Sequence, residues 1–379
     1  MIYFDNAAST RMDDRVLEAM LPYLKESFGN ANGKYSLGYE ARKAVNEARK
    51  TIASAISAEP DEIYFTSGGT EGNNTVLSFA KVIISSKTEH DSVLKVIENA
   101  KKNGTKAVLL KPDSFGMVTP KILKEKLEEL DIKGDPSDFK KRALVSIMLV
   151  NNETGNIQNI KELAEVAHSY GCVFHTDAVQ AAGHMRINVK ELGVDALTVS
   201  GHKLYGPKGT GFMFIRRGVS LNPLIYGGGQ ERGMRSGTEN VPGIVGLGKA
   251  CELAAVENEI NSRKEREIAE YFKKTLLETI PDTKINGDGK WVLNFSFAGI
   301  NGTSLALRLD MEGICVSTGS ACSSGLDERS HVLTALGLSN EQADSSIRIS
   351  IGKYNTMEEA KFTCFHIKRL VEELRSLGR

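Results

Sequence analysis

Between residues 60 and 215, short apolar runs alternate with segments whose apolar positions recur every three or four residues. EIYF (63–66) precedes a helical pattern starting at Thr70, AVLL (107–110) precedes PKILKEKLEEL (120–130), and ALVSIMLV (143–150) precedes KELAEVAHSY (161–170). CVFH (172–175), ALTV (196–199) and GFMFI (211–215) follow as further runs of strand length. Unbroken apolar strands between amphipathic helices are the mark of strands buried on both faces. The pattern therefore predicts an α/β layer around a mainly parallel sheet. Such sheets bind ligands beyond the carboxyl ends of their strands.

From about 241 to 280 the pattern becomes helical. Beyond it VLNFSF (292–297), a helix near 303–312, GICVS, IRISI (347–351) and a last helix predict a smaller α+β unit. No internal repeat or low-complexity linker separates the two. The boundary is expected inside the long helix near 255–265, which gives a large domain of residues 14–258 and a small one of 1–13 with 259–379.

Composition agrees with a folded, soluble chain: of 379 residues, 41% are hydrophobic and 25% charged. The 48 basic residues balance the 48 acidic ones, so no overall positive field collects phosphate backbones or anionic lipid, and nucleic acid and membrane are not expected partners. MIYFDNAAST lacks a basic, then apolar leader, and no stretch approaches the ~18 apolar residues of a membrane span. The expected location is the cytoplasm.

Five cysteines without a CxxC pair argue against a disulfide framework or a zinc site. Cys364 falls on an apolar stripe with Ile367, Val371 and Leu374, and Cys251 sits similarly with Leu247 and Ala254. Cys172 opens a strand and Cys315 lies in GICV, so all four are expected as buried small hydrophobes. Cys322, in STGSACSSG (317–325), has only small polar neighbours and nothing to pack against. An exposed, unused thiol is an oxidation liability, which favours a functional role.

Three further stretches each follow an apolar strand. FTSGGTEGNN (65–74) combines glycines with a helix start at Thr70, whose free N–H groups suit a phosphate; alone it is a weak signal that reads more readily as structural punctuation. In VFHTDAVQ (173–180), Asp177 is carried to the mouth of a buried strand, as a helix cap or as an anion facing a ligand. LTVSGHKLYGPKGTGFMFI (197–215) puts Lys203 at a strand end within a glycine-rich loop, where an amine can be positioned and desolvated for Schiff-base chemistry. A phosphate turn, a strand-end aspartate and a strand-end lysine in one α/β layer are the parts a pyridoxal phosphate site requires.

The chain resembles the cysteine desulfurases of the NifS/IscS type, within the fold-type-I pyridoxal phosphate enzymes. The likeness runs through YFDNAAST, FTSGGTEGNN, KTEH ending at His90, VNNETG, FHTDAVQ, SGHKLYGPKG, GGGQERGMRSGT, STGSACSSG and SSIRISIG, in order. It implies a large domain with a seven-stranded sheet, a smaller α+β domain and a homodimer. It further implies that Lys203 binds the cofactor covalently, that His90 stacks on its ring and that Asp177 pairs with the ring nitrogen. Gly69, Thr70, Ser200 and His202 would hold the phosphate, with Thr238 reaching in from the other subunit. Asn152 and Gln180 would contact the ring-hydroxyl side, and Asn152 and Arg348 would bind the substrate, Arg348 clamping its carboxylate, a role that suits its bidentate fork.

Cys322 matches the family's sulfur acceptor. The implied reaction converts L-cysteine to L-alanine, leaves a persulfide on Cys322 and passes the sulfur to an iron–sulfur scaffold or another acceptor protein. Selenocysteine lyase, and an aminotransferase or β-lyase on the same cofactor, share most of these motifs; the last two have no need of Cys322. NANGKYSLG (30–38) lacks the Pro and His usual at that place, and the Arg329 region replaces a common proline. His331 reads as an ordinary helix-start residue without an assigned role.

Overall fold

The computed structural model describes residues 1–132, 143–318 and 329–377. The chain opens with β1 (Ile2–Tyr3), α1 (Asp14–Lys25) and α2 (Ser36–Ala55). Strands and helices then alternate through β2 (Ile63–Thr66), α3 (Gly69–Leu77), β3 (Val82–Ser86), α4 (Asp91–Lys102), β4 (Lys106–Leu110), α5 (Pro120–Glu129), β5 (Leu144–Ser146), α6 (Ile160–Ser169), β6 (Val173–Asp177), α7 (Val189–Leu192), β7 (Ala196–Ser200) and β8 (Gly211–Ile215). A helix of 39 residues, α8 (Val241–Thr279), leads to β9 (Thr283–Ile285), β10 (Val292–Phe297), α9 (Gly302–Met311), β11 (Ile314–Cys315), α10 (His331–Ala335), α11 (Asn340–Asp344), β12 (Ser346–Ser350) and α12 (Met357–Leu377).

The local chemistry accounts for these elements. In α6, Ile160, Leu163, Ala164 and Ala167 recur at helical spacing and are the buried face. Thr119 caps α5 by accepting from the Ile122 N–H, and Pro120 takes the first turn, where a missing N–H costs nothing. Strands β6, β7 and β8 are buried at every position, which is why none shows an alternation of apolar and exposed polar residues.

The main sheet runs β2-β8-β7-β6-β5-β3-β4. Its interior pairs, β4 with β3, β3 with β5, β5 with β6 and β6 with β7, are parallel, and only β8 runs antiparallel to its neighbours. Strands β3, β5, β6 and β7 therefore end at one edge, and His90, Asn152, Asp177 and Lys203 all follow from those ends. A second sheet, β12-β10-β9, is antiparallel, and β1 pairs with β11 in parallel. The core beneath the main sheet takes Ile244, Leu247 and Cys251 of α8. A separate core around β10 and β12 takes Ile268, Phe272 and Leu276 of the same helix, together with Phe4. Each such fully buried side chain contributes roughly 1.5–3 kcal/mol.

Two expectations need correction. The apolar run 143–150 forms a ladder only over β5; beyond it, the Ile147 and Leu149 N–H groups still bond to the His175 and Asp177 carbonyls while the chain turns away through NNETG. Cys172, Cys251 and Cys364 are buried, but Cys315 is partly exposed. It sits on a two-residue strand where Ile314 takes the inward face and alternation turns the next side chain outward. Burial pushes the thiols of Cys172, Cys251 and Cys364 up to about 12, which makes them inert. Among the described residues no helix is long and apolar enough to cross a membrane, and no His/Cys/Asp/Glu cluster could hold a metal ion.

His175 lies wholly inside the sheet, between the hydroxyls of Ser146 (2.9 Å) and Thr198 (3.1 Å), and burial lowers its pKa to about 3. The unfolded chain binds a proton there below about 6.5, whereas the folded chain does so only near 3. Stability should therefore fall as pH drops through that window, by up to about 1.4 kcal/mol per pH unit from this group. His175→Gln should flatten the acid limb of denaturant-measured stability; an unchanged slope would exclude the assignment.

Candidate active site

The turn after β2 delivers its backbone to the site. Gly68, with φ of 150°, precedes α3, and no side chain caps that helix, so the N–H groups of its first turn, which begins with Gly69 and Thr70, stay available to an anion. A Cβ on Gly68 would lie 3.4 Å from Ser200 Oγ, so the end of β7 faces this helix start. His202 follows, its Nδ1 3.3 Å from Ser9 Oγ. Burial, helped by the charges of Lys203 and Lys208, lowers its pKa to about 4, leaving a neutral imidazole near neutral pH.

Asp177 ends β6 and is buried. Its Oδ1 accepts from the Val179 N–H (2.9 Å) and its Oδ2 from Asn73 Nδ2 (2.7 Å). The same Asn73 amide donates to Ser92 Oγ (2.9 Å), which lies 2.9 Å from His90 Nδ1. His90 caps α4 by accepting the Ser92 N–H at Nδ1, which puts the proton of its neutral ring on Nε2. A hydrogen-bonded chain thus links His90, Ser92, Asn73 and Asp177. Sequence reasoning did not single out Asn73 or Ser92; the signal was Asn73 one helical turn beyond Gly69 and Thr70 in FTSGGTEGNN.

Lys203 closes a tight turn at Gly201–Lys203, and its Nζ donates to the carbonyls of Ala7 and Ala8. Gln180 Nε2 donates to the same Ala7 carbonyl (2.8 Å). Arg348, on β12, is 2% exposed; it donates to Asp5 Oδ1 (2.7 Å) and to the Asn152 carbonyl (2.9 Å). The buried atoms Arg348 Nε, Asn152 Oδ1 and Asn73 Oδ1 have no partner among the described residues. Among the remaining candidates, Thr238 is exposed on a loop pinned to the rest of the protomer by Arg49–Glu231 and Arg235–Glu71 ion pairs. Cys322 lies outside the described residues.

Both flanks of Cys322 reach the site. Ser317 bridges to Arg348 backbone to backbone. On the other side, Ser330 donates to Glu153 and caps α10, and His331 Nε2 lies 2.9 Å from the Glu89 carbonyl, next to His90. Burial raises the carboxyl pKa of Glu153 and of Glu89, and the charge of Asp177 adds to the rise at Glu89.

This donor set fits pyridoxal phosphate. It offers an uncapped helix start beside a serine and a neutral histidine for a dianion, a buried carboxylate for a ring N–H, an amine, and a guanidinium whose Nε–H is unpartnered among the described residues for a carboxylate.

The family described as aminotransferase class-V matches residues 2–362. Cysteine desulfurase IscS of Dictyoglomus turgidum is 46% identical, aligned over 100% of this chain and 96% of its own length. That of Methanosarcina thermophila is 44% identical over 100% and 93%. Among solved structures, a NifS-like protein superposes with a TM-score of 0.89 at 35% identity, covering 98% of this chain and 100% of that one. SspA in complex with cysteine gives 0.80 at 33% identity, covering 94% and 100%.

Replacing Asn73 tests the hydrogen-bonded chain. Asn73→Ala removes a donor from a buried carboxylate, which should cost about 1–3 kcal/mol of stability. Cofactor should also leave faster on dialysis, read as loss of visible absorbance; retention equal to the parent would show that Asn73 does not orient Asp177.

Proposed function

The chain belongs to the class-V aminotransferase family, and from that premise we propose that it is a pyridoxal-phosphate-dependent cysteine desulfurase in which Cys322 receives the sulfur. The relatives named above support the reaction, and the donor set supports the cofactor. One observation favours sulfur transfer over transamination: the segment carrying Cys322 is bounded by Ser317 on Arg348 and by Ser330 and His331 on Glu153 and Glu89.

What the cofactor supplies when bound is an electron sink that acidifies the substrate Cα–H and weakens the neighbouring C–S bond. Lys203 would tether it, and the amine, steered by the Ala7 and Ala8 carbonyls, would serve as the base for the substrate α-proton. Asp177, oriented by Asn73, would keep a proton on the ring nitrogen. The start of α3, Ser200 and His202 would hold the phosphate, and Thr238 would complete that site from a second protomer in a homodimer. His90 would hold the ring from one face, and Asn152 and Gln180 would hold its hydroxyl side.

Arg348 takes the substrate carboxylate through Nε and Nη atoms that Asp5 and the Asn152 carbonyl already aim. The Cys322 thiolate then forms an S–S bond to the substrate sulfur as the C–S bond breaks. The carbon is protonated, and the net change is thiol plus cysteine giving persulfide plus alanine. The persulfide goes on to an acceptor protein, for which the IscS names of the relatives favour an iron–sulfur scaffold, and the proposed location is the cytoplasm.

Incubation with L-cysteine should release L-alanine and add one sulfur atom to the peptide bearing Cys322, both read by mass spectrometry. Cys322→Ser should lower alanine formation by roughly 100-fold or more while the visible absorbance of bound cofactor persists. Undiminished turnover by that variant would refute the sulfur-acceptor role, and borohydride labelling at a lysine other than Lys203 would refute the tether.

A further inference from the structure

Tyr205 stands two residues after Lys203, with φ of 63°, a left-handed conformation that a ring-bearing residue keeps only where its surroundings over-determine it. They do so here. Its N–H donates to Thr10 Oγ1 (2.8 Å), its carbonyl accepts from the Asp13 N–H (3.0 Å), and its ring meets Tyr354 edge-on at 5.7 Å. Its hydroxyl accepts from the Lys353 N–H at 2.7 Å. A Cβ on Gly352 would come within 2.6 Å of that hydroxyl oxygen, so glycine is what permits the approach.

Lys353 belongs to the loop that leaves β12, the strand carrying Arg348. Its side chain is 8% exposed; Nζ donates to Asp13 Oδ2 and lies 4.4 Å from the centre of the Tyr205 ring. Asp13 also bonds Arg15, which together with Lys353 holds its carboxyl well below the usual carboxylate range, so the Asp13 carboxylate facing Lys353 stays ionised. One end of this arrangement is thus the Lys203 turn, and the other is the strand of the carboxylate clamp.

We infer that Tyr205 and Lys353 are positioning residues, a strut that sets the separation between the Lys203 amine and the Arg348 guanidinium and so selects ligands bearing an amino group and a carboxylate on one carbon. This rests on reading Lys203 and Arg348 as the two ends of the substrate site. The strut touches neither substrate nor cofactor. Its effect is geometric, and displacements of about 1 Å in such a frame cost up to about 100-fold in rate.

The test compares two ligands on the holoenzyme by titration calorimetry: L-alanine, which engages both ends, and propionate, which engages only the clamp. Tyr205→Phe and Lys353→Met should weaken L-alanine about 10-fold or more and leave propionate within about 2-fold, since the clamp itself is intact. Lys353→Arg, which keeps the cation beside Asp13, should restore most of the loss. In turnover, the KM for cysteine should rise more than kcat falls.

Equal weakening of both ligands would show a merely structural role, and no weakening of either would show no role; each result overturns the strut. Tyr205→Phe keeps both buried charges, so it carries the test if Lys353→Met does not fold. Should the parent enzyme bind alanine no better than propionate, the assignment of Lys203 and Arg348 falls first and the strut with it.

Discussion

Residues 5–13 run along the seam between the two cores, and they grip the functional side chains from both. Asp5 bonds Arg348, Ala7 and Ala8 receive Lys203, Ala7 also receives Gln180, and Ser9 and Thr10 meet His202. One short stretch of backbone therefore registers amine, imidazole and guanidinium against one another. Much of the grip is exerted by main-chain carbonyls, which do not titrate and which substitution of their own side chains leaves in place. Phe4 sits in one core and Ala7 in the other, so the grip is itself anchored at both ends by burial.

Around this seam the protein carries an internal cost. Asn73, Glu89, Asn152 and Arg348 each bury a polar atom without a partner among the described residues, and each such atom costs about 1–3 kcal/mol. A chain optimised only for stability would not cluster them at one sheet edge. Ligands that satisfy these atoms stabilise the folded state in proportion to their affinity, so stability and site occupancy are linked.

The layer was legible because periodicity reports burial on both faces, and the strand-end positions of Asp177 and Lys203 could be read from where the apolar runs stop. The register of β5 was not, since Ile147 and Leu149 are as buried as the strand before them although they lie past the ladder. Cys315 was misjudged because an edge strand of two residues has too little pattern to show which side chain faces outward. Asn73 and Ser92 escaped notice since their significance lies in a contact between α3, α4 and β6 that local sequence does not encode. Ala7 and Ala8 act through carbonyls, to which residue identity gives no clue.

The long helix α8 constrains how the two halves can move. It holds Pro242, Gly243, Gly246 and Gly248 near its start, yet neither residue type recurs through Thr279. At about 1.5 Å per residue it is a rod roughly 58 Å long whose two ends are cemented into different cores. Swinging one half against the other would mean breaking main-chain hydrogen bonds in a stretch free of proline and glycine, so α8 joins the two cores as a stiff connector.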